Sequence, residues 1–574
     1  MQQGYPISDE VQEVSRTDGK TYTVQYFERA EFEFHPENQA PYNVLISLLG
    51  QSSYREKYPQ GAPNQAPNTQ ANSVLFPQTG RRLGGKFLKY WQEHGGLMQQ
   101  GYPISDEFQE KSELNGKTYT VQYFERAVFE AHLENQPPYD ILLAQLGALR
   151  YGELYDPTAW LRNRVVAQRT TEPDSNDQDL MALKGVIGNA HIVALGESTH
   201  GSHEFFTMKQ RILQFLVKEM GFTVFALEDG WAEAQEVNSY LQTGDHHTDE
   251  IAKAMQGLNH YRFPWGTTEM LDIFGWIQSY NERQDLVPNR LSAVNLQGFD
   301  MQDAGPAISY VLDFLQKVDP QTVDQAAKQY ACYGSMEAYR HRMALDKSAC
   351  QDSIQHVYDA LEENEARYQA RSSAQEFDEA LHAAQTAVQS AAFWGGPSEN
   401  PVDHLRDQYM AENVEWIVQH AGPNSRIIIS AHNAHVETSP IQISPRVKSM
   451  GQYLREQYGE DMRVLGLDFY GGVINAYGPS ASESDPPEPV TVAEPSESSY
   501  EQYFHSASIP IFLLDLQAVS QDSPAINWLG SQRKIWSIGG HYAPPNSGTY
   551  TLSLTAAFDA LIYVDRLTPS LLLR

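Results

Sequence analysis

Two short segments of this chain carry the residue types of acid–base chemistry at the same spacing. Glu197 and His200 stand three apart in GESTHG (196–201), and His432 and His435 stand three apart in HNAH (432–435). Side chains three apart share one side of a helical turn, so each pair can face a common space. A neutral imidazole beside a carboxylate is oriented by it, its pKa is raised, and it can take a proton from water near neutral pH. Further carboxylates, Glu228, Asp229, Asp300 and Asp468, each sit near the end of an apolar run. A nucleophilic serine has less support: Ser198 lies inside the first segment, but no G-x-S-x-G elbow surrounds it. The same histidines and carboxylates are ordinary metal ligands. The H-E-x-x-H zinc motif is absent, so the first reading uses no cofactor, and a metal-dependent hydrolase stays open as its alternative.

What has to position these residues is a sheet. HIVAL (191–195), FTVFAL (222–227), AVNLQGF (293–299), RIIIS (426–430) and VLGLDF (464–469) are short apolar runs that read as buried strands. Residues 204–220 carry apolar side chains at 205, 208, 212, 215, 216 and 220, which is helical spacing, and Gly221 follows as a cap. A second helix follows the second strand to about 241, before Gly244. Strand and helix alternating at this spacing predict an α/β domain with a mostly parallel sheet flanked by helices. In such sheets ligands bind beyond the carboxyl ends of the strands. Five strand ends then deliver Glu197 and His200, Glu228, Asp300, the His432–His435 pair and Asp468 to one edge. Any one of them alone is more often a cap or a core residue; their convergence carries the functional reading.

Residues 320–395, rich in Ala, Gln and Glu, read as a helical hairpin inserted into a domain that spans 156–574. Cys332 and Cys350 both lie in it, and two separate thiols and one disulfide are equally open. Residues 478–500 read as a surface loop, while 246–268 and the hairpin shape the pocket.

Lys and Arg number 41 against 73 Asp and Glu, a net charge of −32. That excludes a basic footprint for nucleic acid and disfavours anionic membranes. It reads as solubility and as a modest attraction for cationic amino sugars. No apolar run of about 18 residues is present to span a bilayer. With 41% hydrophobic and 11% aromatic residues the chain is no disordered polymer. Two cysteines cannot build a four-cysteine zinc site or a disulfide scaffold.

The N-terminal part is a repeat. Residues 1–50 and 98–147 agree at 36 of 50 positions without gaps. Each copy holds a turn signal, Asp18-Gly19 or Asn115-Gly116, then a period-2 strand in which Tyr22, Val24 and Tyr26, or Tyr119, Val121 and Tyr123, face one way. The expected order is a β-rich copy over 1–50, a flexible connector over 51–75, and a second copy with a short helix over 76–150. No titratable cluster stands out there, so the modules read as non-catalytic. Residue 1 falls inside the repeat, so the chain reads as beginning mid-repeat. GYPISDE and LGGKFLKYWQEHGG (83–96) resemble the LGFP-like repeats of bacterial surface and secreted proteins. That resemblance implies binding to a cell-wall or surface polymer and an extracellular or surface location.

From 156 onward a second resemblance covers the chain in collinear order. ALGESTHGSHEFFTMKQRIL, FALEDGWAEA, LQGFDMQ, RDQYMAENVEWI (406–417), SAHNAHVE (430–437) and SMGQYLREQYGEDMRVLGLDFYGG (449–472) resemble the erythromycin esterase family. SSYEQYF and AFDALIYVDRLTP match its C-terminal part. The resemblance implies hydrolysis of a carboxylic ester, macrolide lactone opening being the named example, by His-activated water without a covalent acyl-enzyme. It places the family's essential histidine at His200, its two glutamates at Glu197 and Glu228, and its paired histidines at His432 and His435. A basic position often occupied by Arg in macrolide esterases falls on Lys209, which lacks the bidentate fork of Arg. Lys209, Arg406 and Asp300 are the expected substrate contacts.

Overall fold

The computed structural model describes residues 2–112, 117–155, 157–173, 176–242, 248–282, 293–341, 343–395, 402–422, 424–439, 448–478, 481, 485–519, 528–543 and 548–573. It divides into two compact units, Met1–Trp160 and Leu161–Arg574.

In the first unit each repeat copy is a four-stranded antiparallel meander. Strands β1 (Val11–Val14), β2 (Thr21–Tyr26), β3 (Glu31–Phe34) and β4 (Val44–Ile46) form one sheet. After a small hairpin of β5 (Val74–Phe76) and β6 (Arg81–Leu83), strands β7 (Phe108–Lys111), β8 (Thr118–Tyr123), β9 (Val128–Ala131) and β10 (Ile141–Leu143) form the other. Tyr22, Val24 and Tyr26 are buried, as period-2 alternation requires of one sheet face. Gly19 takes φ +74° in the first turn, while Asn115-Gly116 lies outside the described residues.

The stretch expected to be a flexible connector starts as a helix, Leu49–Lys57, and is then tied to the second copy where the Ala66 N–H donates to the Glu107 carbonyl. The helix after each sheet packs on the other sheet. Tyr54 meets Tyr123 at 5.1 Å, and in the corresponding place Tyr151 of helix Leu146–Tyr155 meets Tyr26 at 5.4 Å. The Gln51 N–H donates to the Glu125 carbonyl, and the Ala148 N–H to that of Glu28. Gly50 and Gly147 permit this approach: a Cβ would lie 2.1 Å from the Phe124 carbonyl oxygen in one case and 1.9 Å from that of Phe27 in the other.

In the second unit nine strands form one mixed sheet among the described residues. They are β11 (Val166–Ala167), β12 (Ile192–Leu195), β13 (Val224–Gly230), β14 (Asn295–Asp300), β15 (Ile427–Ser430), β16 (Met462–Ala476), β17 (Glu488–Val492), β18 (Ile511–Asp515) and β21 (Ala560–Leu567). The order is β11-β18-β21-β16-β12-β15-β13-β14, with β17 beside β16. A separate hairpin, β19 (Arg533–Trp536) and β20 (Thr549–Leu552), stands between β18 and β21 in sequence. Neighbours from β21 through β14 run parallel, while β11, β18 and β17 pair antiparallel. The expected parallel heart is therefore present, and an antiparallel margin that sequence reading missed is added to it.

The five predicted strands are β12 to β16. Their apolar runs are buried on both faces, as a sheet covered by helices demands. Helix His203–Met220 starts on the Ser202 side chain, which accepts the Phe205 N–H, and ends at Gly221 with φ +75°. Between β14 and β15 the long helices Ala344–Glu363 and Ala374–Gly395 pack on each other. A disulfide joins Cys332, ahead of the first of them, to Cys350 within it. Among the described residues no helix is long and apolar enough to cross a membrane.

Candidate active site

The carboxyl ends of β12, β13 and β15 open onto a cavity of about 650 Å³ in the second unit. β12 stops at Leu195, and Gly196 follows because no side chain fits: a Cβ there would lie 2.0 Å from Asn433 Oδ1. The Asn433 side chain donates to the Leu467 carbonyl of β16, and its N–H donates to the Glu197 carbonyl. The two His-bearing turns are thereby fixed to one another.

Glu197 is fully buried. Its Oε1 lies 2.7 Å from His200 Nδ1 and its Oε2 2.7 Å from Lys209 Nζ. Burial pushes this carboxyl up, but the Lys209 ammonium and His200 outweigh it and hold it below the ordinary carboxylate range. An ionised Glu197 takes the proton of His200 Nδ1 as a hydrogen bond and leaves the Nε2 lone pair facing the cavity. The backbone of Gly539 and Gly540 passes this edge of the ring, and the His200 N–H donates to the Gly539 carbonyl.

Opposite stands His432. Its Nδ1 accepts the Ala434 N–H at 3.2 Å, as the cap of the one-turn helix Asn433–Val436. The ring proton is therefore on Nε2. Burial, then the neighbouring His200 and His435, push its pKa down to about 3, so the ring is neutral at any working pH. Nε2 is buried on the cavity wall with no hydrogen-bond partner among the described residues. The centroids of His200 and His432 are 5.2 Å apart. Two neighbouring rings on the wall thus carry one lone pair that accepts protons and one N–H with no partner among the described residues.

β13 runs on through Glu228 and Asp229 to Gly230, further than its apolar run suggested, because both charges are paired. Glu228 Oε2 accepts the His432 N–H at 2.9 Å, and its Oε1 accepts Arg406 Nη2 at 2.8 Å. Burial pushes Glu228 up; His435, Arg406 and His200 more than offset it, holding it well below the carboxylate range. Arg406 also donates to Asp300 at 2.8 Å and, through Nη1, to His435 Nε2 at 2.7 Å. His435 Nδ1 lies 2.9 Å from Asp407 Oδ1. Burial pushes His435 down and Asp407 and Glu228 push it up, the carboxylates prevailing. The short contact from Arg406 still needs a lone pair at Nε2, because two donors cannot face each other at that distance, so the neutral Nδ1–H tautomer fits.

His200, Glu228, Arg406, His432 and His435 line the cavity, with Glu197 directly behind His200. Two expected substrate contacts are elsewhere. Lys209 is 2% exposed and spends its charge on Glu197, and Asp300 is 1% exposed and braces Arg406. Neither lies on the cavity wall. The helical pattern held the signal for Lys209: it lies four residues after Phe205 and three before Ile212, on the apolar face. Asp468 is also buried away from the wall, beneath Ser198.

The wall also holds residues that sequence reading did not single out. His260 lies 3.4 Å from Asp229, which accepts the backbone N–H groups of Asn259 and His260. Tyr261, Phe263 and Trp265 add an aromatic side, and Gly539, Gly540 and His541 come from near the C-terminus. Met336, Arg340 and Trp394 come from the disulfide-bearing insertion. Among the described residues, no three His, Cys, Asp or Glu side chains are grouped to hold a metal ion.

The erythromycin esterase family profile matches residues 217–567, more than half of the chain. The match takes in Glu228, Arg406, His432 and His435 and begins after Glu197 and His200. An erythromycin esterase type II from Escherichia coli is 27% identical over 343 residues, covering 56% of this chain and 78% of that protein. A crystal structure of a Bacillus cereus protein superposes with a TM-score of 0.64 at 28% identity, covering 72% of this chain and 98% of that one. An erythromycin esterase mutant solved in an open conformation shares the fold, with a TM-score of 0.56 at 19% identity, over 71% of this chain and 99% of that one.

Proposed function

Since this chain belongs to the erythromycin esterase family, we propose that it hydrolyses carboxylic esters by direct attack of water, with macrolide lactone ring opening as the specific reaction. The observation that carries this reading is the pair of neighbouring imidazoles on the cavity wall: His200, whose Nδ1 is held by Glu197, and neutral His432, whose Nε2–H has no partner among the described residues. His200 Nε2 takes a proton from water as its oxygen attacks the ester carbonyl carbon. Glu197 holds the imidazolium that forms, and Lys209 keeps Glu197 ionised. The oxyanion accepts the His432 Nε2–H and the one Nη1 hydrogen of Arg406 that its other contacts leave over. Collapse of the tetrahedral intermediate breaks the C–O bond, and the departing alkoxide takes the proton back from His200. No acyl-enzyme is formed, so no nucleophilic serine is required.

Incubation with macrolides of several ring sizes, read by mass, tests the specific claim. A gain of one water on a macrolide that His200→Ala does not produce supports it. No change across the panel, with simple esters still cleaved, removes the macrolide claim and keeps the esterase. The Cys332–Cys350 disulfide favours an oxidising, extracellular setting, and the repeat unit is proposed to bind a surface polymer, which a pull-down on cell-wall material tests.

A further inference from the structure

The chain carries a net charge of −32, yet the cavity wall has the opposite balance. Among the described residues lining it are three arginines, Arg262, Arg340 and Arg406, and one carboxylate, Glu228. Arg406 is spent on Glu228 and on Asp300 behind it. Arg340 is different. Its guanidinium lies 4.5 Å from the centroid of the Trp394 ring, and among the described residues no carboxylate is within ion-pair distance of it. The neighbouring acid Glu337 is instead turned to His341 at 2.9 Å. Trp394 is itself fixed, with Nε1 donating to the Gln302 carbonyl at 2.7 Å. Gln302 in turn donates to Asp300, the brace of Arg406, so the stack is tied to the reaction centre. The Cys332–Cys350 bridge closes the segment that carries Met336 and Arg340.

An arginine held over an aromatic face by its cation–π contact can still offer N–H groups to a planar anion. In a protein with 73 acidic side chains, an uncompensated guanidinium on the wall of the reaction cavity is a positive spot where substrate enters. We propose that Arg340, stacked on Trp394, is a substrate-binding residue that selects esters bearing a carboxylate or a similar oxyanion away from the scissile bond. This rests on ester hydrolysis at His200 and competes with the macrolide assignment, whose cationic amino sugars such a wall disfavours; the macrolide panel and the ester series below separate the two. It also reverses the expectation that overall acidity draws cationic ligands, because the charge that a substrate meets at close range is that of the wall.

The test uses the full chain and three para-nitrophenyl esters of equal chain length: the hexanoate, the mono-ester of adipic acid, and a quaternary-ammonium counterpart. The adipate is expected to show the highest kcat/KM and the cationic ester the lowest. Arg340→Gln should cost the adipate about fivefold, mainly in KM, as expected of one exposed charge pair, and leave the hexanoate within twofold. Arg340→Lys should restore part of the preference, and added salt should weaken it in the wild type only. Equal effects of Arg340→Gln on all three esters would overturn the proposal. A wild type that cleaves none of them refutes the esterase reading separately. Calorimetric titration with adipamic acid and neutral adipamide then decides the subsite without turnover: tighter binding of the acid that Arg340→Gln abolishes upholds it, and equal binding sinks it.

Discussion

Histidines paired with glutamates occur in both units, and they are used differently. In the repeat unit, His132 Nε2 lies 2.9 Å from Glu130 and Nδ1 3.4 Å from Glu134, with the ring against Tyr119 at 3.8 Å. The first copy repeats this with His35, Glu33, Glu37 and Tyr22. Both ring nitrogens are occupied, and the cavity beside Glu130 measures about 20 Å³. In the second unit His200 spends one nitrogen on Glu197 and leaves the other on a cavity of about 650 Å³. A histidine–carboxylate pair is therefore a structural device until one nitrogen is released to a space that holds substrate.

This contrast can be broken most sharply at His200. His200→Ala should lower kcat for ester hydrolysis by about 10²–10⁴-fold, with thermal unfolding little changed. His132→Ala should leave turnover at the wild-type level, and a comparable loss there would erase the distinction. Next comes His432→Phe, which removes the unpaired donor. It should cost about 10²–10³ in kcat without moving the pH profile of kcat/KM, because burial keeps the ring neutral across the working range.

Lys209→Met sharpens the comparison from behind. It strands a buried Glu197 without its cation, which costs about 3–5 kcal/mol in denaturant unfolding. The sign of the pH effect follows from the direction of the shift. Glu197 is held below its usual range, so its stabilising contribution is present above the unfolded carboxylate pKa and lost as pH falls through the folded one. Without Lys209 the folded pKa rises, so the acid limb of kcat/KM should move to higher pH. An unmoved limb would show that Glu197 does not need this partner. The smallest effect is expected from His132→Ala itself: about 1–3 kcal/mol of local stability, from leaving buried Glu130 without its imidazole and with the Ser112 hydroxyl as remaining partner, read by amide exchange in β8 and β9.

Much of the second unit was legible in the sequence, because strands buried on both faces are written as apolar runs and the helix between β12 and β13 has a clear period. The strand ends then placed His200, Glu228, His432 and His435 correctly on one edge. IFLLD and ALIYV, the cores of β18 and β21, are equally apolar, yet the helices before them, Tyr500–Ser506 and Leu554–Ala557, are too short to show the period that marked the others. His260, Gly539 and Arg340 carry no local pattern at all. They reach the cavity through the path of loops and of an insertion, which depends on packing far away in sequence. The segment over 51–75 reads as a flexible connector for a similar reason: its helix is stabilised by a sheet about 70 residues later. Net charge is a sum over the whole surface and does not determine the balance on a wall shaped by a few side chains.

The exchanged helices of the repeat unit have a consequence for assembly. Each sheet is completed by the helix that follows the other, through matching contacts at Tyr54–Tyr123 and Tyr151–Tyr26. A polypeptide with one copy would hold a bare sheet and a spare helix, and two such chains would satisfy each other by twofold exchange. The tandem is in this sense a dimer written into one polypeptide, and the tether between its halves replaces protein concentration with a fixed effective concentration, so it completes itself however dilute the protein becomes.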